Sequence, residues 1–118
     1  MLPKKYRLTN KKDFEKVFKI GQGRHAKILG IKFVKNNLEN SRFGFIVSKK
    51  VSPKAVIRNK IKRQAREIIR LNLSRVKSGL DIVIICHPGI TEKNYQEIEK
   101  EILQVVEEIG LLNYKGEK

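Results

Sequence analysis

Residues 48–70 read SKKVSPKAVIRNKIKRQAREIIR. Nine of these positions are cationic: Lys49, Lys50, Lys54, Arg58, Lys60, Lys62, Arg63, Arg66 and Arg70. One, Glu67, is acidic. Like charges four residues apart on a helix repel, yet the apolar residues recur at helical spacing. At about 100° per residue, Ile61, Gln64, Ala65, Ile68 and Leu71 fall within roughly 80° of Ile57. Asn59, Lys62, Arg63, Arg66 and Arg70 fall on the opposite half, with Arg58 and Lys60 at its borders. The spacing predicts a helix over 56–73, held by one face and cationic on the other. Pro53 keeps Ser52 out of the helical region, so the segment before it is a connection. Lys54, Arg58 and Lys60 oppose the helix dipole, while backbone N–H groups at a helix start bind phosphate. Solvated amphipathic helices usually alternate charge signs. The near absence of acids here points to a polyanion that neutralises the outer face. Among those cations Asn59 adds directional hydrogen bonding.

The charge pattern extends outward from this helix. The chain has 118 residues and a net charge of +15, which suggests one domain with a polyanionic partner. Residues 1–70 carry 21 Lys or Arg against 4 Asp or Glu, and residues 71–118 carry 6 against 8. Such segregation favours a basic face over a generally solvated surface. The longest uninterrupted apolar run, residues 82–86, is far below the ~20 residues of a membrane helix. The first twelve residues, MLPKKYRLTNKK, hold no stretch of signal-peptide type. A single cysteine excludes an internal disulfide and fits a reducing compartment. The expectation is a cytoplasmic protein without a membrane partner. The ends, 1–8 and 113–118, are expected to be flexible.

Asn10 is a candidate N-cap for a first helix over 11–19, with Phe14, Val17 and Phe18 on one face and Gly21 as its stop. GQGR at 21–24 reads as a turn. ILGIKFVK at 28–35 alternates as a strand, and RFGFIVS at 42–48 reads as a second, the pair forming a hairpin with a long connection. Gly44 within that strand signals a bulge or a close approach. LDIVIIC at 80–86 reads as a buried strand. A last helix over 92–109 carries an apolar stripe of Ile98, Ile102, Val105 and Ile109, closed by Gly110. The fold class is α+β: a single small domain, a central, mainly antiparallel sheet packed by helices.

The catalytic inventory is thin. Asp13, Glu15, Glu39 and Glu67 are scattered over three elements, whereas a two-metal nuclease needs carboxylates converging within about 4 Å. His25 and His87 read as loop or strand-end residues, and Cys86 as a buried thiol, so neither a catalytic nor a metal site is expected in this chain. Zinc-finger, zipper and helix-turn-helix patterns are absent. All five phenylalanines lie in the basic half. Most belong to the core, but aromatics beside a basic groove suit single-stranded RNA. RNA therefore ranks above DNA, and above a membrane surface or calmodulin, whose target helices offer bulky apolar residues to the partner.

RFGFIVSKKVSPKAVIRNKIKRQAREIIR resembles the signature of the bacterial ribonuclease P protein subunit: an R-x-G-x-x-V-S-K-K strand, a K-A-V element and an R-N-R/K-x-K-R-x-x-R helix. LTNKKDFEKVFKIG and LDIVIICHPG resemble two further segments of that family, in the right order. The resemblance implies a cofactor of a large catalytic RNA, which uses Mg²⁺ to hydrolyse the 5′ leader from precursor tRNA. The catalytic RNA would meet Lys49, Lys50, Lys54, Arg58, Asn59, Lys60, Lys62, Arg63, Arg66 and Arg70. The precursor tRNA 5′ leader would lie in a cleft with Phe14, Phe18, Lys32 and Ser48. The family fold has four strands, where the sequence shows three, in the order α-β-β-(β)-α-β-α with a left-handed β-α-β crossover. Three departures stand out. Lys60 replaces a common Arg and loses bidentate phosphate contact, Ser52-Pro53 replaces a Gly, and Leu29, Ile31 and Lys32 stand where aromatics are common. The competing readings are a structural RNA-binding protein of ribosomal type and a self-sufficient nuclease.

Overall fold

The computed structural model describes residues 2–113, so the C-terminal stretch expected to be flexible lies outside the described residues from 114 onward. Asn10 Oδ1 accepts the Lys12 N–H at 2.8 Å and starts helix α1, Lys11–Ile20. Gly21 stops it by donating its N–H to the Val17 carbonyl at 2.8 Å. The basic stretch forms α2, Ala55–Leu71. The acidic C-terminal half supplies α3, Tyr95–Glu108. That helix starts later than its apolar period suggests, because Ile90–Glu92 is a separate 3₁₀ turn. Asn94 and Glu97 then form a capping box, each side chain bonded to the other's N–H. Gly110 ends the helix in the left-handed region, φ 79°.

Four strands, β1 (Gln22–His25), β2 (Leu29–Lys35), β3 (Arg42–Ile46) and β4 (Leu80–Cys86), form one sheet in the order β1-β2-β4-β3. Pairs β1–β2 and β2–β4 are antiparallel, and β3–β4 is parallel. Two expectations are corrected here. The stretch read as the turn GQGR is mostly strand. All four β1 residues are exposed, so no apolar alternation marks them and only the ladder to β2 defines them. This is the fourth strand that the family resemblance implied. The expected hairpin of β2 with β3 is also absent, since β4 lies between them. Six of the seven β4 residues are buried, and a strand apolar on both faces belongs in the sheet centre. The parallel pair requires a crossover, and α2 is that crossover.

The sheet buries both faces. Leu29, Ile31, Phe43, Ile82, Ile84 and Cys86 meet Ile61, Ala65, Ile68 and Ile69 of α2 and Ile98, Ile102, Val105 and Val106 of α3. On the other face Val83 packs with Val17 of α1 and with Leu8. Two stripes shift from expectation. In α3, Val106 is buried and Ile109 only half-buried. In α2, Leu71 is 57% exposed and Ile69 is buried instead. The buried face of α2 is turned toward the Arg58–Lys62 side, which leaves Lys62 and Arg66 half-buried beside the sheet. Residues 2–8, within the end expected to be flexible, run beside β3. Leu2 and Leu8 are buried, and the Leu8 N–H donates to the Phe43 carbonyl at 2.9 Å.

One buried carboxylate ties the layers together. Asp81 is 3% exposed and accepts from Arg42 Nε at 2.8 Å, Arg42 Nη2 at 2.7 Å and Asn36 Nδ2 at 2.9 Å. Arg42 also reaches Asp13 of α1 at 3.3 Å. The hydrogen bonds that Arg42 donates to Asp81, with the charges of both carboxylates, raise the Arg42 pKa against its partial burial.

Candidate nucleic-acid interface

The approach to α2 is a tight turn with its lysines outside. The Val51 N–H donates to the Ser48 carbonyl at 3.0 Å and Ser48 Oγ accepts the Lys50 N–H at 3.3 Å. Ser48, Lys49 and Lys50 are exposed. Buried Ser52 then fixes the helix start. Its Oγ accepts the Lys54 N–H at 3.2 Å, and its carbonyl accepts Arg58 Nη1 at 2.9 Å. Lys54 occupies the N-cap and provides no side-chain acceptor, and the first turn holds no acid. Neither the N-cap side chain nor the first turn of α2 therefore compensates the positive end of the helix dipole.

Farther along α2 the cations divide. Arg70 is held by Glu67 through two bonds of 2.9 and 2.6 Å, which keeps the Glu67 carboxyl below its usual range. Arg58 serves the helix start. Among the described residues, Asn59, Lys60, Lys62, Arg63 and Arg66 have no side-chain hydrogen bond or ion pair. Their positions follow from the helix period: Lys62 and Arg66 lie one turn apart on one ridge, and Arg63 lies on the next.

That ridge separates two clefts. The first, about 370 Å³, is lined by Phe14, Phe43, Gly44, Phe45, Lys62 and Arg66, with residues 7–9 at its edge. It brings the helix cations together with Phe14. Gly44 permits the arrangement, because a Cβ there would overlap the Phe14 ring; the close approach expected at this glycine is an aromatic one. Phe14 is half-buried and Phe18 is 41% exposed, so Phe18 is the open aromatic. Lys32 Nζ donates to the Phe18 carbonyl at 3.2 Å and stands 5.8 Å from the ring centroid. Of the four residues expected to share a leader cleft, Phe14 alone lines this one; Phe18 and Lys32 neighbour each other outside it, and Ser48 lies in the exposed turn before α2.

The second cleft, about 560 Å³, lies between α2 and the start of α3, lined by Arg63, Gln64, Arg66, Glu67 and Tyr95. Sequence reading missed Tyr95, hidden as an ordinary helix residue, and missed Arg7, set aside with the terminus. Elsewhere, His25 Nδ1 and His87 Nε2 share a hydrogen bond of 2.9 Å, and burial, then the neighbouring His25, lowers the His87 pKa. Cys86 is buried, and that burial pushes its thiol up to about 12.

A row of unpaired cations on an apolar-anchored helix, beside an aromatic-lined cleft, serves no purpose within the fold itself. It defines the class of small single-domain RNA-binding proteins. The family model described as Ribonuclease P matches residues 2–110. A ribonuclease P protein component of Syntrophomonas wolfei is 38% identical over 118 residues, covering all of this chain and 98% of the relative. Solved structures agree. The RNase P protein of Thermotoga maritima, determined in complex with 1-(4-fluorophenyl)-2-thiourea, aligns at TM-score 0.79 and 34% identity over 85% of this chain and 96% of that one. The Staphylococcus aureus RNase P protein aligns at TM-score 0.84 and 28% identity over 92% and 98%. The chain belongs to the bacterial ribonuclease P protein family, the protein part of a tRNA-processing endoribonuclease with an RNA partner.

Proposed function

We propose that this chain holds the 5′ leader of precursor tRNA in the α1 cleft and docks the catalytic RNA on the outer ridge and N-terminal approach of α2. The observation that carries the reading is the pairing of Lys62 and Arg66, without protein partners, with Phe14 on one cleft wall. A single strand takes phosphate contacts from such cations and stacking from aromatic faces. Phe18, one turn beyond Phe14 on α1, and Lys32 of β2, bonded to the Phe18 carbonyl, would extend the track beyond the cleft itself. Leu29, Ile31 and Lys32 stand in place of aromatics, so stacking rests on α1 and not on β2.

In this reading the RNA carries out the hydrolysis with Mg²⁺, and the protein positions it and its substrate. Among the described residues no three His, Cys, Asp or Glu side chains stand together in a metal-binding group. No helix among the described residues is long and apolar enough to cross a membrane. The buried free thiol of Cys86 suits a reducing, cytoplasmic setting. The experiment is reconstitution with a bacterial ribonuclease P RNA and precursor tRNA at low Mg²⁺. Leader removal faster than with RNA alone is expected, and no acceleration would sink the proposal. A ribosomal RNA-binder would instead associate with ribosomal particles and leave tRNA processing unchanged.

A further inference from the structure

We infer that the cleft between α2 and α3 receives an unpaired nucleotide of the RNA docked on α2. This rests on the proposed docking of the catalytic RNA and adds a subsite to it. Four observations converge on the cleft. Its volume, about 560 Å³, lies within the range that holds small planar ligands. Arg63 and Arg66 line it and are unpaired among the described residues, so an anionic group meets two uncommitted guanidiniums. Gln64 lines it with an amide likewise without a hydrogen bond. Tyr95 lines it as well, and its hydroxyl is buried without any partner.

Together these are the requirements of a nucleotide. The Tyr95 ring offers a stacking face, as do the planar guanidiniums. The Gln64 amide offers a donor and an acceptor for a base edge. Arg63 and Arg66 meet the phosphates. The orphan hydroxyl marks incompleteness, since buried polar groups are almost always satisfied. The charged groups acting on it are Glu99 of α3 and Glu67 and Arg70 of α2; the α2 pair is bonded together and its side chains are 40% and 38% exposed. Arg66 borders this cleft and the α1 cleft alike, so one residue stands between the two proposed RNA strands.

The test uses the whole chain bound to ribonuclease P RNA. Ultraviolet cross-linking followed by peptide mass spectrometry should place a nucleotide adduct on the peptide containing Tyr95 or Gln64. Tyr95→Ala should weaken RNA binding roughly 5- to 150-fold, the range of one lost base stack. The dependence of affinity on salt should stay as steep, because no phosphate contact is removed. Tyr95→Phe keeps the ring and should lose far less. If Tyr95→Ala fails to fold, Gln64→Ala and the cross-link decide. Wild-type affinity in Gln64→Ala with no adduct in this cleft overturns the inference, as does wild-type affinity in a folded Tyr95→Ala. The docking reading fails separately, if the wild-type chain shows no salt-sensitive binding to the RNA at all.

Discussion

Removing one charge from α2 should move stability and affinity in opposite directions. Arg58, Lys62, Arg66 and Arg70 stand four residues apart in one row, and only Arg70 has a carboxylate partner. Lys62 repels at both i−4 and i+4. Each like-charge pair costs roughly 0.2–0.5 kcal/mol, so Lys62→Gln relieves about 0.4–1 kcal/mol while keeping most of the half-buried stem. That corresponds to a rise in Tm of about 1–5 °C, measured by thermal unfolding at low salt. At about 1 M salt, where the screening length is about 3 Å, the gain should vanish. Binding to ribonuclease P RNA should weaken, and the slope of log affinity against log salt should become shallower by about 0.7–0.9. A lower Tm at low salt would refute the claim that the row is strained without RNA. An unchanged slope would remove Lys62 from the interface.

Four further outcomes are expected. Gly44→Ala pushes a Cβ into the Phe14 ring and should cost about 1–3 kcal/mol in urea unfolding; pairing it with Phe14→Ala should cost less than the sum of the two. Asp81→Asn breaks a buried ion pair and should cost about 3 kcal/mol, whereas a loss below 1 kcal/mol would show Arg42 to be satisfied by Asp13 alone. The Cys86 thiol, raised from 9.0 to about 12, stays protonated when folded between those values while the unfolded chain loses its proton. Stability therefore falls as pH rises through that window, by at most about 1.4 kcal/mol per unit from this group, and Cys86→Ala should flatten the fall. Glu67→Gln frees Arg70 and removes the single carboxylate of α2; RNA affinity should rise, and a drop in a binding titration would contradict the docking face.

How much of this was legible depended on where each signal lay. α2 was readable because its apolar period and its charges mark opposite faces of one element. Asn10 and Gly21 marked α1 by their capping chemistry. β4 announced itself by an unbroken apolar run, but that run carries no information on which strands flank it. The false hairpin of β2 with β3 came from sequence proximity, which a crossover helix overrides. β1 was invisible because an exposed edge strand of Gln, Gly, Arg and His is held by backbone bonds alone. The burial of Ile69 in place of Leu71 depends on where α3 packs, which no helical period encodes. Among site residues, the charged ridge was readable, while the choice of Phe18 over Phe14 as the open aromatic depended on Gly44, a residue of another element. Tyr95 entered the second cleft only through the packing of α3 against α2.

The position of β4 between β2 and β3 sets the order in which the chain can assemble as it is synthesised. Until residue 86 has been made, β2 and β3 have no strand to share, and only the β1–β2 ribbon can pair. An isolated two-stranded ribbon is marginal at best in water. A nascent chain ending before residue 80 should therefore present a basic, unfinished half-domain. Its non-local pairing makes folding slower than that of a helical bundle. The element that completes the sheet is the one that follows the RNA-binding helix, so that helix reaches its seat only when the fold around it closes.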